Sequence, residues 1–240
     1  MIKIESLNKY YGKSHILQNV NVTIKKGEVY GLLGPNGAGK STLLSILATI
    51  SSFHSGSITI KNYDISKNTK DVRGVIGYVP QDIALWEHMS VKDNFLFWSK
   101  FSKKKVSEEY LYELSQTVKL KEKWHIRVSK LSGGMKRKLN IAVALIHNPD
   151  ILLMDEPTVG IDIQSKLEIN DYIKSLTLQG KTIVYTTHDI SEILTLCDRI
   201  GVLKDGSLLF SGTLGEARQY LEEKGYPPMD DHKLIYTLLN

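Results

Sequence analysis

The chain has 240 residues, 42% of them hydrophobic and 24% charged, with a net charge of +5 and one cysteine. This is an ordinary globular balance, large enough to bury a sizeable core, and Cys197 alone excludes an internal disulfide or a cysteine-rich metal site. No apolar run approaches the roughly 18 residues that cross a bilayer, and Met1-Ile-Lys-Ile-Glu5 does not read as a leader, so a cytosolic chain is expected.

The mild positive charge suits an acidic partner such as a nucleotide, a nucleic acid or the inner membrane surface. The Lys103-Lys104-Lys105 run and the Lys119, Lys121, Lys123 cluster are interleaved with Glu108, Glu109, Glu113 and Glu122, however, and no aromatic-glycine RNA-binding pattern accompanies them. They are expected to form a solvated helix face, with no nucleic acid bound.

Residues 1-33 read as strands. Ile2 and Ile4, then Val20, Val22 and Ile24, alternate with polar residues, which predicts a partly exposed antiparallel sheet. Tyr10-Tyr11-Gly12 falls in its first turn, where the Tyr11 ring could stack on a base. Lys26-Gly27 turns the chain into the buried strand 29-33. There follows Gly34-Pro35-Asn36-Gly37-Ala38-Gly39-Lys40-Ser41-Thr42, a strand-loop-helix pattern that fits a phosphate-binding loop. Its glycines let backbone N-H groups close on a triphosphate. The helix beginning near Lys40 points its positive end at the same anion. Lys40 adds a charge for the β- and γ-phosphates, and Ser41 is placed to ligate magnesium.

Two short β-branched strands, 57-60 and 74-79, come next, and Pro80 leaves the amide of Gln81 at the mouth of a loop. From 83 to about 149 strand signals vanish and helical spacing takes over at 107-120 and 135-147, a helical lobe inserted between sheet strands. Within it, Ser132 caps a helix whose first turn, Gly133 and Gly134, exposes its N-H groups, a second anion-binding helix start. Asp150-Ile-Leu-Leu-Met-Asp155 is a buried strand that emerges at Asp155 and Glu156, the carboxyl edge where parallel sheets hold ligands. Asp155 would hold magnesium and Glu156 would polarise the attacking water. After the loop around Asp162 comes an amphipathic helix through about Leu178, with Ile163, Leu167, Ile173 and Leu176 expected on one side. Strand 182-187 ends at His188, within reach of the γ-phosphate. Residues 200-210 form a closing hairpin, and the tail 213-240 reads as helical with a break at Pro227-Pro228 and no chemistry of its own.

Taken together, the motifs resemble those of the nucleotide-binding subunit of ABC transporters, over nearly all of residues 1-225. They occur in the family's order: the loop Gly34-Thr42, Gln81, Leu131-Ser-Gly-Gly134, Asp155-Glu156-Pro157, Asp162 and His188. The resemblance implies an α/β fold with a P-loop NTPase core, an N-terminal antiparallel β subdomain and an inserted α-helical subdomain. Residues 1-81 and 149-212 would supply the core and β subdomain, 82-148 the helical subdomain and 213-240 a tail. It implies ATP and Mg2+ as ligands, with Ser41, Gln81 and Asp155 at the metal and Tyr11 stacked on adenine. It also implies pairing with a second ABC ATPase chain, as homodimer or heterodimer, so that Ser132, Gly133 and Gly134 of one chain cover the phosphates held by Lys40 of the other. The helical subdomain near Gln81 would dock on an integral-membrane transporter subunit, with this chain peripheral on the inner face of the membrane. The stretches 76-81 and 89-94 look like those of small bacterial exporters of drugs, peptides or lipid-linked polymers. A different expectation is a soluble ABC ATPase acting on a cytosolic partner such as an iron-sulfur assembly scaffold.

The fifth signature residue, usually glutamine in the family, is Met135, which donates no hydrogen bond. Contacts through Ser132 and the glycine N-H groups do not need it. Met135→Gln is therefore expected to change the rate of ATP turnover by less than about tenfold, about 1.4 kcal/mol of barrier, in a steady-state phosphate-release assay.

Overall fold

The alternating burial of Ile2–Tyr11 makes β1, whose inward residues Ile2, Ile4 and Leu7 face the core. A computed structural model describing residues 1–240 pairs β1 antiparallel with β2 (Ser14–Ile24) on one side and β4 (Ser55–Ile60) on the other. With the short edge strand β5 (Tyr63–Asp64) the order is β2-β1-β4-β5. The register shifts between Ile4 and Leu7, where Ser6 takes a φ of 50° and bulges the strand.

The second sheet is built on β3 (Val29–Leu33), buried at all five positions, as a strand covered on both faces must be. It lies between β8 (Thr182–Thr186) and β9 (Arg199–Lys204), parallel to both. Beyond β8 come β7 (Ile151–Asp155) and β6 (Ile76–Val79), also parallel, and β10 (Ser207–Gly212) closes the other edge antiparallel to β9. The order is β10-β9-β3-β8-β7-β6. Cys197 is partly buried and packs against the core. Its sulfur packs where a side chain at Gly31 would lie, and burial pushes its thiol up to about 12.

Helix α1 (Lys40–Leu47) follows β3, and α2 (Thr69–Val75) precedes β6. The sequence reading starts a strand at Gly74, but the short helix runs through it and the strand begins at Ile76. Between β6 and β7 the regular elements are all helical: α3 (Val91–Ser99), α4 (Glu108–Thr117) and α5 (Gly133–Ala144), with two short 3-10 turns. Each of the three starts on a serine, Ser90, Ser107 or Ser132, whose hydroxyl accepts a backbone N-H of the first turn. After β7 come α6 (Ile163–Leu178), α7 (Ile190–Leu196), and, beyond β10, α8 (Leu214–Glu223) and α9 (Asp231–Leu239).

Two expectations change. Lys103, Lys104 and Lys105 lie in the connection between α3 and α4, not on a helix face, and line a cleft of about 1040 Å³ between the helical subdomain and α2. Ile163 and Leu167 are 78% and 55% exposed, whereas Ile169, Ile173 and Leu176 are buried. The inner face of the first half of α6 is polar instead: Ser165 sits under Gly134, Lys166 pairs with Asp189, and Glu168 pairs with Lys138 at 2.6 Å and Lys119 at 3.0 Å. The tail is helical with a break across Pro227-Pro228, as expected, and Leu234, Ile235 and Leu238 of α9 are buried with Leu33, Ile193, Ile200 and Val202.

Glu168 joins α6 to the helical subdomain, and its bonds to Lys138 and Lys119 hold its carboxyl at about 2, below the ordinary 4.5. The ionised form is thus favoured by folding, and the gain is present above pH about 4.5 and lost as the pH falls toward 2. Glu168→Gln is expected to lower stability by on the order of 1 kcal/mol at pH 7, the difference shrinking below pH about 4.5, measured by urea unfolding across pH.

Candidate nucleotide site

Beyond Leu33 the chain must reverse tightly into α1, and Gly34, Gly37 and Gly39 take φ of 151°, 81° and 105°. A side chain at Gly34 would strike the Leu203 carbonyl, and one at Gly39 would lie 2.7 Å from Leu17 Cδ2, so both conformation and space require glycine there. Helix α1 has Gly39 as its N-cap and no side-chain cap, which leaves its first N-H groups for an anion. Lys40 is buried, and its ammonium donates to the carbonyls of Gly34 (2.7 Å) and Pro35 (3.1 Å). Burial lowers its pKa, while the carboxylates of Glu156 and Asp155 act in the opposite direction.

The loop floors a cavity of about 870 Å³ whose walls include Tyr11, Gln81, Glu156 and His188. Pro35, Asn36, Ser41 and Thr42 also line it, whereas Ala38 is buried beneath. Tyr11 is 53% exposed, with Lys9 Nζ 4.6 Å from its ring centroid.

At the carboxyl end of β7, Asp155 is buried and accepts from the Thr186 hydroxyl at 2.7 Å. Glu156 follows in the left-handed region, φ 45°, a strained conformation for a residue with a side chain. Its N-H donates to the Thr186 hydroxyl oxygen (2.9 Å) and carbonyl (3.2 Å), which aims its carboxylate into the cavity. There Glu156 Oε2 accepts from Gln81 Nε2 at 3.2 Å, and Oε1 lies 3.5 Å from His188 Nδ1. Three residues from three strand ends therefore meet at one carboxylate.

Within one chain, Ser132, Gly133 and Gly134 do not reach this cavity. Ser132 caps α5 by accepting from Met135 N-H at 3.3 Å. Gly134 packs so closely on Ser165 that no side chain fits, and a Cβ there would lie 3.2 Å from Asp162 Oδ2. Asp162 in turn caps α6, and the Ser165 N-H bond at 2.8 Å holds its pKa down. The signature turn and the Asp162 loop are thus one packed unit.

No cluster of three or more His, Cys, Asp or Glu side chains forms a metal cage. Ser41, Gln81 and Asp155 are a sparse oxygen donor set, which fits a hard cation that takes most of its ligands from phosphates and water.

Three features escaped the sequence reading. Thr186 holds both Asp155 and Glu156, yet it reads as one more β-branched strand residue. Arg137 of α5 is buried and donates to the carbonyls of Pro80 (3.0 Å) and Gln81 (2.7 Å), tying the signature helix to the Gln81 loop. An arginine on the buried side of an amphipathic helix was the available signal. Ile235, Tyr236 and Leu239 of α9 line the same cavity as the phosphate loop, and nothing local announces this. Thr186→Val keeps the shape of the strand but removes both hydroxyl bonds. It is expected to slow ATP turnover at least about tenfold and to lower stability by about 1–3 kcal/mol, measured by phosphate release and urea unfolding.

A family model described as ABC transporter matches residues 17–159. The linearmycin resistance ATP-binding protein LnrL of Bacillus subtilis is 42% identical over 219 residues, covering 89% of this chain and 69% of that protein. A Nod factor export ATP-binding protein I of Rhizobium etli is 38% identical over 214 residues, covering 88% and 67%. Among solved structures, an ATP-binding subunit of an ABC transporter superposes with a TM-score of 0.86 over 99% of both chains, at 23% identity a likeness of fold alone. A dimeric ATP-binding cassette in a post-hydrolysis state bound to ADP and Pi superposes with a TM-score of 0.80 at 30% identity, covering 89% of this chain and 98% of that one. The loop, the strand-end carboxylates and these likenesses agree: the chain belongs to the ABC transporter family and is an ATP-hydrolysing ATP-binding subunit.

Proposed function

We propose that this chain is the motor of an exporter, closing head to tail with a second ABC ATPase chain around two ATP molecules and driving a separate membrane subunit. The observation that carries the reading is the meeting of Gln81, Glu156 and His188 in the cavity floored by the phosphate loop. In this reading Lys40 and the α1 N-H groups bind the β- and γ-phosphates, and the Tyr11 ring takes the base. Glu156 orients the attacking water and accepts its proton, and Gln81 and His188 fix the carboxylate until the γ-phosphate draws them away. Bound Mg2+ would be held by Ser41 with Gln81 and Asp155 and would neutralise phosphate charge. Ser132, Gly133 and Gly134 of the second chain complete the site, which explains why a chain with one phosphate loop has two anion-binding helix starts.

The cleft beside the Gln81 loop supports a membrane partner docked there. Trp98, Phe101 and Tyr110 offer apolar surface, and Arg73 and Lys104 lie beside them. An amphipathic segment carrying carboxylates fits that lining. Arg137 would pass its movement to the Gln81 loop. No helix is long and apolar enough to cross a membrane, so on this reading the chain sits on the inner face through its partner. The names of the relatives, linearmycin resistance and Nod factor export, support outward transport of a drug-like or lipid-linked molecule.

The deciding experiment is light scattering after size exclusion on Glu156→Gln. With Mg-ATP it is expected to shift from monomer to dimer while hydrolysis falls by on the order of a hundredfold or more, and a wild-type rate would remove Glu156 from the water-activating role. Lys40→Ala is expected to weaken ATP affinity by on the order of a hundredfold, read with a fluorescent ATP analogue. A Glu156→Gln protein that stays monomeric with ATP bound would point either to pairing with a different ATPase chain or to closure that requires the membrane partner.

A further inference from the structure

Glu192 of α7 is 2% exposed and does not line the nucleotide cavity. A buried carboxylate is costly unless its oxygens are met, and here they are met from several elements. Its Oε2 accepts from the Tyr185 hydroxyl at 2.8 Å and from the Thr187 hydroxyl at 2.6 Å. Its Oε1 faces Lys166 Nζ of α6 at 3.3 Å, an ion pair without hydrogen-bond alignment. Lys166 also pairs with Asp189, the N-cap of α7.

The proton count gives this cluster a direction. The Tyr185 proton goes to Glu192, so the Thr158 hydroxyl, 3.2 Å from Tyr185 Oη, is the donor of that bond. The Thr187 proton also goes to Glu192, which leaves the Thr187 oxygen to accept the Asp189 N-H at 3.0 Å. Both chain neighbours of His188 are thereby fixed through one carboxylate: Thr187 directly, and Asp189 through Thr187 and Lys166. The same carboxylate reaches, through Tyr185, the loop that follows Glu156. Glu192 itself does not line the cavity.

We propose that Glu192 is a positioning residue for hydrolysis, holding the His188 turn in register with the loop after Glu156 and with α6. The inference rests on the reading of His188 as a partner of Glu156, and it adds a reason why an imidazole that is 65% exposed lies beside that carboxylate.

The test is Glu192→Gln in the full chain, which keeps shape but loses the charge that Lys166 faces. Turnover is expected to fall by roughly ten- to a hundredfold while ATP affinity stays within about twofold, because the phosphate loop is untouched. In a His188→Ala background the same substitution is expected to change turnover by less than about twofold, since its effect passes through that residue. In protein carrying 13C-labelled histidine, the His188 ring resonance is expected to move while that of His54, in the bend just before β4, stays in place. Unchanged turnover, additive effects in the double variant, or a stationary His188 resonance would each overturn the proposal. If Glu192→Gln does not fold, Tyr185→Phe removes one donor to the same oxygen and is read by the same resonance. Should His188→Ala hydrolyse ATP at the wild-type rate, the catalytic reading of His188 falls, and the resonance alone decides whether Glu192 orients the ring.

Discussion

The parallel pairing of β3 with β8 and β9, continued through β7 to β6, is the constraint from which the site follows. Parallel strands end on the same edge, so the loops leaving β3, β6, β7 and β8 collect there: the phosphate loop, Gln81, Glu156 and His188. Only a strand buried on both faces can hold the root of the phosphate loop still, and β3 is buried throughout. Thr186 shows how fine the dependence is, because it pairs with Asp155 in the β7–β8 register and meets both carboxylate residues from there. A slip of one residue would turn that hydroxyl to the opposite face.

The helical subdomain is joined to this edge by polar contacts more than by continuous sheet. Arg137 reaches the backbone of the Gln81 loop, Glu168 clamps α5 to α6, and Gly134 lets the signature turn press on Ser165. These contacts are directional and few, whereas the cluster uniting Val79, Leu139, Leu152 and Ile169 is broad and apolar. Such an arrangement suits a body that moves as a unit about a defined seam, since polar contacts set an angle and apolar ones tolerate small shear.

What was legible in the sequence was whatever local chemistry determines. Alternation in β1 and β2, the continuous apolar run of β3, and the glycine spacing of the phosphate loop each have a reason within a few residues. The helical insertion follows from the helical spacing at 107-120 and 135-147, whereas the α/β class with its P-loop core is what the resemblance implies. What was not legible depends on partners far along the chain. Ile163 and Leu167 fit a helical apolar stripe, but the inner side of that stretch is occupied by ion pairs to Lys138 and Asp189. Lys103–Lys105 fit a charged helix only until the backbone fails to continue past α3. Glu192 reads as one more polar residue of a short helix, and its burial is set by Tyr185 and Lys166. The tail from 213 reads as helical with a break at Pro227-Pro228, but the packing of α9 on Leu33 and Ile193 has no signature in its own residues.

The two carbonyls that hold Lys40 have a consequence for binding. Gly34 and Pro35 take two of the ammonium's three N-H donors, so the loop fixes the side chain and leaves one donor for an anion. A polyphosphate meets that donor and the uncapped end of α1 together, and its charges offset the burial that lowers the lysine's pKa. The cradle therefore presents a lysine already ordered, so that little side-chain freedom is left to lose when the phosphates arrive.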